Sequence, residues 1–409
     1  MKTPSFQIFK TLGPGLLFAG AAIGVSHLVQ STRAGADFGF GLIWALLIVN
    51  LFKYPFFQYG PRYATATGES LIEGYGRLGK GVLLIYFILT FLTMFTIQAA
   101  VTVVTAGLAA NLFGISASVT TWSIIITLIC FAFLILGKYK VLDNLMKIII
   151  VTLSISSVIA VGVAFYKSNA SFDFTQIIPK GSLEIGFLIA FLGWMPAPLD
   201  VSTWQSLWTL EKRKDKTRKF DTKQALFDFN VGYIVTIFLG LCFMALGTLV
   251  LFHSQEEINE GAVQFAKQLI HMYTVNLGAG ASIFIAIAAF TTMFSTTLTT
   301  LDASPRAMAK SSELLFKSKS DKFYLLWILL LAVGTIIILS FFTNSMISLV
   351  KIATILSFLT APFYAIANFI LISGKYTPKE FQPSLGMKIL SYCGILFLFG
   401  FSIWYLANI

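Results

Sequence analysis

The sequence predicts an all-α polytopic membrane protein of eleven transmembrane helices, set as two inverted five-helix repeats plus one additional helix, with helices one and six broken. Three observations predict this. Of 409 residues, 57% are hydrophobic and only 11% charged, at a mean hydropathy of +0.82. A soluble domain carries about 25% charged residues, so this chain cannot wet enough surface to be one. Apolar stretches of about 20 residues, the length of a membrane span, recur throughout. Two of them are interrupted midway by Gly and Pro.

The expected spans run over 13–32, 39–58, 82–107, 119–137, 144–166, 184–208, 226–252, 279–302, 324–343, 346–372 and 387–407. Forty Phe and 15% aromatics overall fit lipid-facing surfaces and interfacial belts. The whole of 1–409 reads as one transmembrane domain: repeat one at about 13–166, repeat two at about 184–372, and the additional helix at about 387–407. Five spans starting inside and five starting outside satisfy the inverted-repeat condition.

Orientation follows from the loops. With the N-terminus cytoplasmic, inner segments hold 22 of the 29 Lys and Arg, including Arg62, Arg77, Lys80, Lys138 and Lys140. The outer segments hold only Arg33, Lys167, Lys180 and Lys267, which places the C-terminus outside. The basic loop from Glu211 to Gln224 reads as an anchor at the anionic inner leaflet. The loop from His253 to Asn276, with Glu256, Glu257 and Glu260, reads as outer and carries a short surface helix. Lys53, within span two, reads as snorkelling to the inner surface. Cys130, Cys242 and Cys393 fall inside apolar segments and read as buried free thiols. No cleaved signal peptide is recognisable. The net charge of +11 serves topology and not nucleic acid, so the partners read as membrane lipid and a small ion or molecule, with a monomeric chain in a bacterial inner (plasma) membrane.

The broken segments carry the functional reading. Span one contains Gly20-Ala21-Ala22-Ile23-Gly24-Val25-Ser26-His27, and span six contains Gly193-Trp194-Met195-Pro196-Ala197-Pro198-Leu199-Asp200. Irregular backbone at membrane depth is tolerated only where protein or a wet cavity satisfies it. A pair of such breaks at matching positions of two repeats points to the binding site of a carrier.

Five-plus-five inversion with broken first and sixth helices resembles the leucine-transporter fold. Within it the chain resembles the Nramp family of divalent-metal transporters, through Gly13-Pro14-Gly15-Leu16-Leu17, Gly35-Ala36-Asp37-Phe38-Gly39-Phe40-Gly41-Leu42-Ile43-Trp44, Asn50-Leu51, Ala66-Thr67-Gly68 and Met195-Pro196. The similarity is best in the first 80 residues and around span six, and weak from about residue 240. The resemblance implies Asp-Pro-Gly-Asn at the span-one break, where this chain has Gly24, Val25, Ser26 and His27. It implies Met-Pro-His in span six, where Met195-Pro196-Ala197 stands. The acidic pair that the family uses for protons in span three aligns with Gln98 and Val101. Only the thioether, Met195, survives, and the ion-binding aspartate is absent. A dehydrated Mn²⁺ or Fe²⁺ ion wants anionic or strongly dipolar oxygens, so transport of such ions is doubtful despite the family resemblance.

Substrate-binding candidates are Gly24, Val25, Ser26, His27, Gly193, Met195, Pro196, Ala197, Asp200 and Gln98. His27 reads as bonded to a freed carbonyl, as a substrate contact, or as a protonation switch. Asp200 reads as a helix cap or as the anionic group of the site. Trp194 and Trp204 flank the break as packing or as an aromatic wall for an organic substrate. Span eight supplies Ser295, Thr296, Thr299 and Thr300, hydroxyls that either back-bond to the preceding turn or, as in sodium-using carriers of the fold, meet Na⁺ near the span-one break. Gating candidates are Asp302 with Arg306, four residues apart on one face at the inner end, then Arg33 outside span one and Lys351 in span ten.

Three functions follow. The first is a divergent metal carrier using Met195, His27 and Asp200 on a partly hydrated ion. The second is a Na⁺-coupled carrier of a small organic solute. The third is a receptor-like homologue without transport. No cofactor is implied beyond Na⁺ or H⁺ as coupling ion. The absence of a Gly-x-x-x-x-Gly-Lys motif argues against ATP-driven pumping, and with three histidines no catalytic triad stands out.

Overall fold

The structure, a computed structural model, describes residues 13–136, 139–167, 173–214, 220–252, 258–318, 320, 322–341 and 345–408, with the side chains of 139–150 left aside. Expectations placed on Lys2, Lys10, Lys138, Lys216, Arg218, Lys219, Lys319, His253, Glu256 and Glu257 lie outside the described residues, as do the side chains of Lys140 and Lys147.

Among the described residues the chain is all helical. The first half runs α1 (Pro14–Ala22), a π turn (Ser26–Ser31) leading into α2 (Thr32–Phe38), α3 (Ile43–Thr67), α4 (Leu71–Leu78), α5 (Lys80–Phe113), α6 (Val119–Ile135) and α7 (Tyr139–Lys167). The second runs α8 (Ser182–Trp194), α9 (Val201–Lys214), α10 (Thr222–Leu246), α11 (Ala262–Leu277), α12 (Ser282–Phe316), α13 (Lys322–Phe341), α14 (Met346–Ser373) and α15 (Leu385–Leu406). Among the described residues, six helices are long and apolar enough to cross a membrane, and the bent pair Pro14–Ala22 and Ser26–Phe38 makes a seventh. Val119–Ile135, Val151–Lys167 and Ser182–Trp194 are apolar but shorter.

Side-chain periodicity shows how these helices pack. In α3, Leu46, Val49, Asn50 and Lys53 are buried at helical spacing, while Leu47 and Leu51 on the opposite face are exposed. That exposed face is apolar, as lipid contact requires. α15 buries a single stripe, Ser391, Gly394, Leu398 and Ser402, and turns Leu396 and Ile403 outward. Cys393 lies off the stripe and is exposed, which corrects its expected burial, while Cys130 and Cys242 are buried. The helix α11, expected on the surface, does not lie there: Phe265, Leu269, Met272 and Tyr273 pack inward, against α5 and α7.

Both expected breaks are present. Span one bends by 46° between α1 and the π turn. The amides of His27 and Leu28 both turn back to the Gly24 carbonyl, at 3.1 and 2.9 Å. Gly24 is needed there for close approach, since a Cβ would sit 2.9 Å from the Thr296 methyl carbon of α12. Span six stops at Trp194 because Pro196 and Pro198 supply no amide and push their preceding residues out of the helical region; Met195 is extended at φ −88°, ψ 120°. Helix resumes through the Thr203 amide bonded to Asp200 O at 2.8 Å.

Candidate functional site

The two breaks meet at one buried cavity. α1 and the span-one break contribute Ala21, Ala22, Val25 and Ser26; the span-six break contributes Trp194, Ala197 and Pro198. Val201 and Trp204 of α9, Ile97 and Val101 of α5, and Thr296 and Thr300 of α12 complete the lining. The space open to the centre of a water-sized sphere is about 20 Å³, enough for roughly one water. Its polar groups are hydroxyls, carbonyls and two indoles. Thr296 Oγ1 reaches across from α12 to the Gly20 carbonyl at 3.1 Å, and also bonds Thr292 O in its own helix. Trp194 Nε1 donates to Ser357 Oγ at 2.8 Å, whereas the buried Trp204 Nε1 has no partner.

Met195, His27 and Asp200, the expected metal ligands, are buried but none of them lines this cavity. His27 Nε2 is 2.8 Å from Thr236 O, while Nδ1 is 2.7 Å from Ser26 Oγ and 3.0 Å from Ala22 O. In the neutral ring with the proton on Nε2, that nitrogen donates to Thr236, and Nδ1 shares the Ser26 hydroxyl proton with the Ala22 carbonyl, so both nitrogens are engaged within the protein. Met195 and His27 both approach Gly240 of α10, whose Cβ would lie 3.5 Å from the Met195 sulfur and 3.8 Å from His27 Cδ2. Asp200 is 4% exposed and its Oδ1 has no hydrogen-bond partner. Among the described residues no group of three His, Cys, Asp or Glu side chains could hold a metal ion. Lys53 is the charged residue that the sequence misplaces. It is fully buried and donates to the carbonyls of Leu192, Gly193 and Ala197. Snorkelling is ruled out by distance, because Lys53 stands at least about 15 Å from either end of α3.

A family profile described as natural resistance-associated macrophage protein-like (Nramp) matches residues 15–408. The chain belongs to the Nramp family. It is a transporter-family membrane protein and not an enzyme. A Pasteurella multocida protein of uncharacterised function is 36% identical over 407 residues, covering 98% of this chain and 92% of its own. The divalent metal cation transporter MntH of Staphylococcus saprophyticus is 23% identical, covering 96% and 91%. A point mutant of the Eremococcus coleocola manganese transporter superposes with a TM-score of 0.74 at 14% identity, over 100% of this chain and 87% of that one. Mhp1, a nucleobase-cation-symport-1 family transporter in a closed conformation with bromovinylhydantoin bound, gives 0.58 at 13% identity, over 97% and 93%. These two likenesses establish the fold, which is that of leucine-transporter-like carriers.

In this Nramp-family chain, the position expected to carry protons is a polar clasp. Gln98 is fully buried; its Nε2 donates to Thr297 O at 3.2 Å, and its Oε1 accepts from Thr300 at 2.5 Å. Val101 beside it lines the cavity. Of the other span-eight hydroxyls, Ser295 back-bonds to Thr292 O, and Thr299 is buried with no partner. Gly193 approaches the Thr354 backbone of α14 so closely that a Cβ would collide with it.

The gating candidates lie at the two ends. Arg33 pairs with Asp37 at 3.0 Å and stacks 4.9 Å over Phe187, which links α2 to α8 on the expected outer side. Asp302 accepts from Arg306 at 2.7 Å and from Tyr324 of α13 at 2.6 Å. Beyond this pair α12 continues unbroken to Phe316. Lys351 is half-buried against Gly186 of α8.

Proposed function

We propose that this chain is a secondary-active transporter that works by alternating access around the cavity between spans one and six. It crosses a bacterial inner membrane eleven times, with the N-terminus cytoplasmic and the C-terminus outside, and its two repeats, 13–166 and 184–372, move about the breaks. The observation that carries this reading is the meeting of both breaks, with Thr296 of span eight, at one buried cavity.

The chemistry of the lining favours a small organic solute coupled to a monovalent cation, admitted only when the breaks move apart, since the cavity as it stands holds roughly one water. Trp204 brings a buried N–H that an acceptor on the solute would satisfy, and Trp194 supplies an aromatic wall. The Thr296 hydroxyl and the Gly20 carbonyl are neutral oxygens of the kind that Na⁺ accepts, whereas a bare Mn²⁺ would demand charge. A second reading, a carrier of partly hydrated divalent ions, is supported by the name of the MntH relative and by the neighbouring Met195 and His27.

Thermal stability and solute binding in Na⁺ against choline at equal ionic strength test the coupling. Na⁺ raises the midpoint of the wild type, because a bound ligand stabilises by mass action, and Thr296→Val removes the gain. Equal midpoints in the two salts would rule out a Na⁺ site.

A further inference from the structure

The Lys53 ammonium has a place in the molecule that neither packing nor topology explains. It donates to Leu192 O and Gly193 O, both at 2.7 Å, and to Ala197 O at 3.3 Å. Leu192 and Gly193 belong to the last turn of α8, where carbonyls lose their helical donors and carry the negative end of the helix dipole. Ala197 stands between the two prolines of the break. Across the break, where α9 begins, the Asp200 carboxyl group is buried with Oδ1 unpartnered. The Lys53 ammonium therefore faces the negative end of one half-helix, and the Asp200 side chain stands at the positive end of the other.

Converging carbonyl oxygens with one carboxylate nearby are the ligand chemistry of a monovalent-cation site. We propose that the span-six break is such a site, formed by the carbonyls of Leu192, Gly193 and Ala197, charge-balanced by Asp200, and filled by the chain's own Lys53 ammonium. The tethered cation joins α3 to the end of α8 and to the break itself, so the break is held without an ion from solution. This goes beyond the transport reading and does not depend on it, because the test reads stability and not uptake.

The test uses the full-length protein carrying Lys53→Ala, which removes the ammonium and leaves room beside the carbonyls. Its unfolding midpoint falls by roughly 5 °C or more, as expected when the donor to three buried carbonyls is removed. Ammonium or methylammonium chloride restores the midpoint saturably and by more than it raises the wild type, while choline chloride at equal ionic strength does not. In Lys53→Ala with Asp200→Asn the recovery weakens at least about tenfold in the concentration needed. Absence of cation-specific recovery, or recovery indifferent to Asp200→Asn, overturns the proposal. Should Lys53→Ala not fold, Lys53→Met keeps the apolar stem. The double variant Lys53→Met with Asp200→Asn is then more stable than the two single losses added together predict. Strictly additive losses would overturn the charge pairing.

Discussion

At the residue scale, the account turns on where polar atoms are spent. Both His27 nitrogens are held within the protein, one by a carbonyl and one by the Ser26 hydroxyl, and no carboxylate is among the cavity lining. Calorimetric titration of Mn²⁺ should therefore give binding in the millimolar range, about −4 kcal/mol, that Met195→Ala and His27→Ala leave within threefold. Micromolar binding abolished by Met195→Ala would show that the sulfur holds the ion. That Gly24 to His27 stand at the span-one break was readable in the sequence, because a glycine-interrupted apolar run marks where the helix gives way. What Lys53 does was not readable. Its residue type suggests an interfacial charge, and its partners are backbone carbonyls about 140 residues away, which no side-chain pattern announces.

At the element scale, Gly and Pro mark both broken helices directly, because they alter the backbone itself and need no tertiary information. α4 was missed although its signal is present: Ser70 accepts from the Glu73 amide and Glu73 reaches back to the Ser70 amide, a capping box. The helix is too short to stand out among long apolar runs. It matters because Glu73 also pairs with Lys310 of α12 at 2.8 Å and ties this connector to the long helix. Burial pushes the Glu73 carboxyl up, but the Lys310 ammonium and the Ser70 donors outweigh it and hold it below its ordinary 4.5. A carboxyl depressed on folding contributes stability that is complete above 4.5 and is lost as pH falls through its lowered value. Glu73→Gln should thus lower stability at neutral pH by up to about 1 kcal/mol for a partly exposed pair and flatten the decline below pH 4.5. Melting curves across pH 3 to 7 measure it, and parallel curves for the two proteins would remove Glu73 from the acid response.

At the scale of the whole molecule, composition predicts the membrane and the paired breaks predict the carrier fold, since both are properties summed over many residues. The cavity's size and the exposed face of α15 were hidden, because they depend on how helices lean together. The central claim is that one buried cavity is reached alternately from each side of the membrane. Val25 lines the cavity and is 1% exposed, so Val25→Cys, in a chain with Cys130, Cys242 and Cys393 replaced by Ser or Ala, reports on it. The direct measurement is its labelling by a membrane-impermeant thiol reagent in vesicles of each orientation. Alternating access predicts labelling from both sides, with Na⁺ raising the rate on one side and lowering it on the other. Labelling from one side only, or at rates that Na⁺ moves in the same direction on both, would contradict the account.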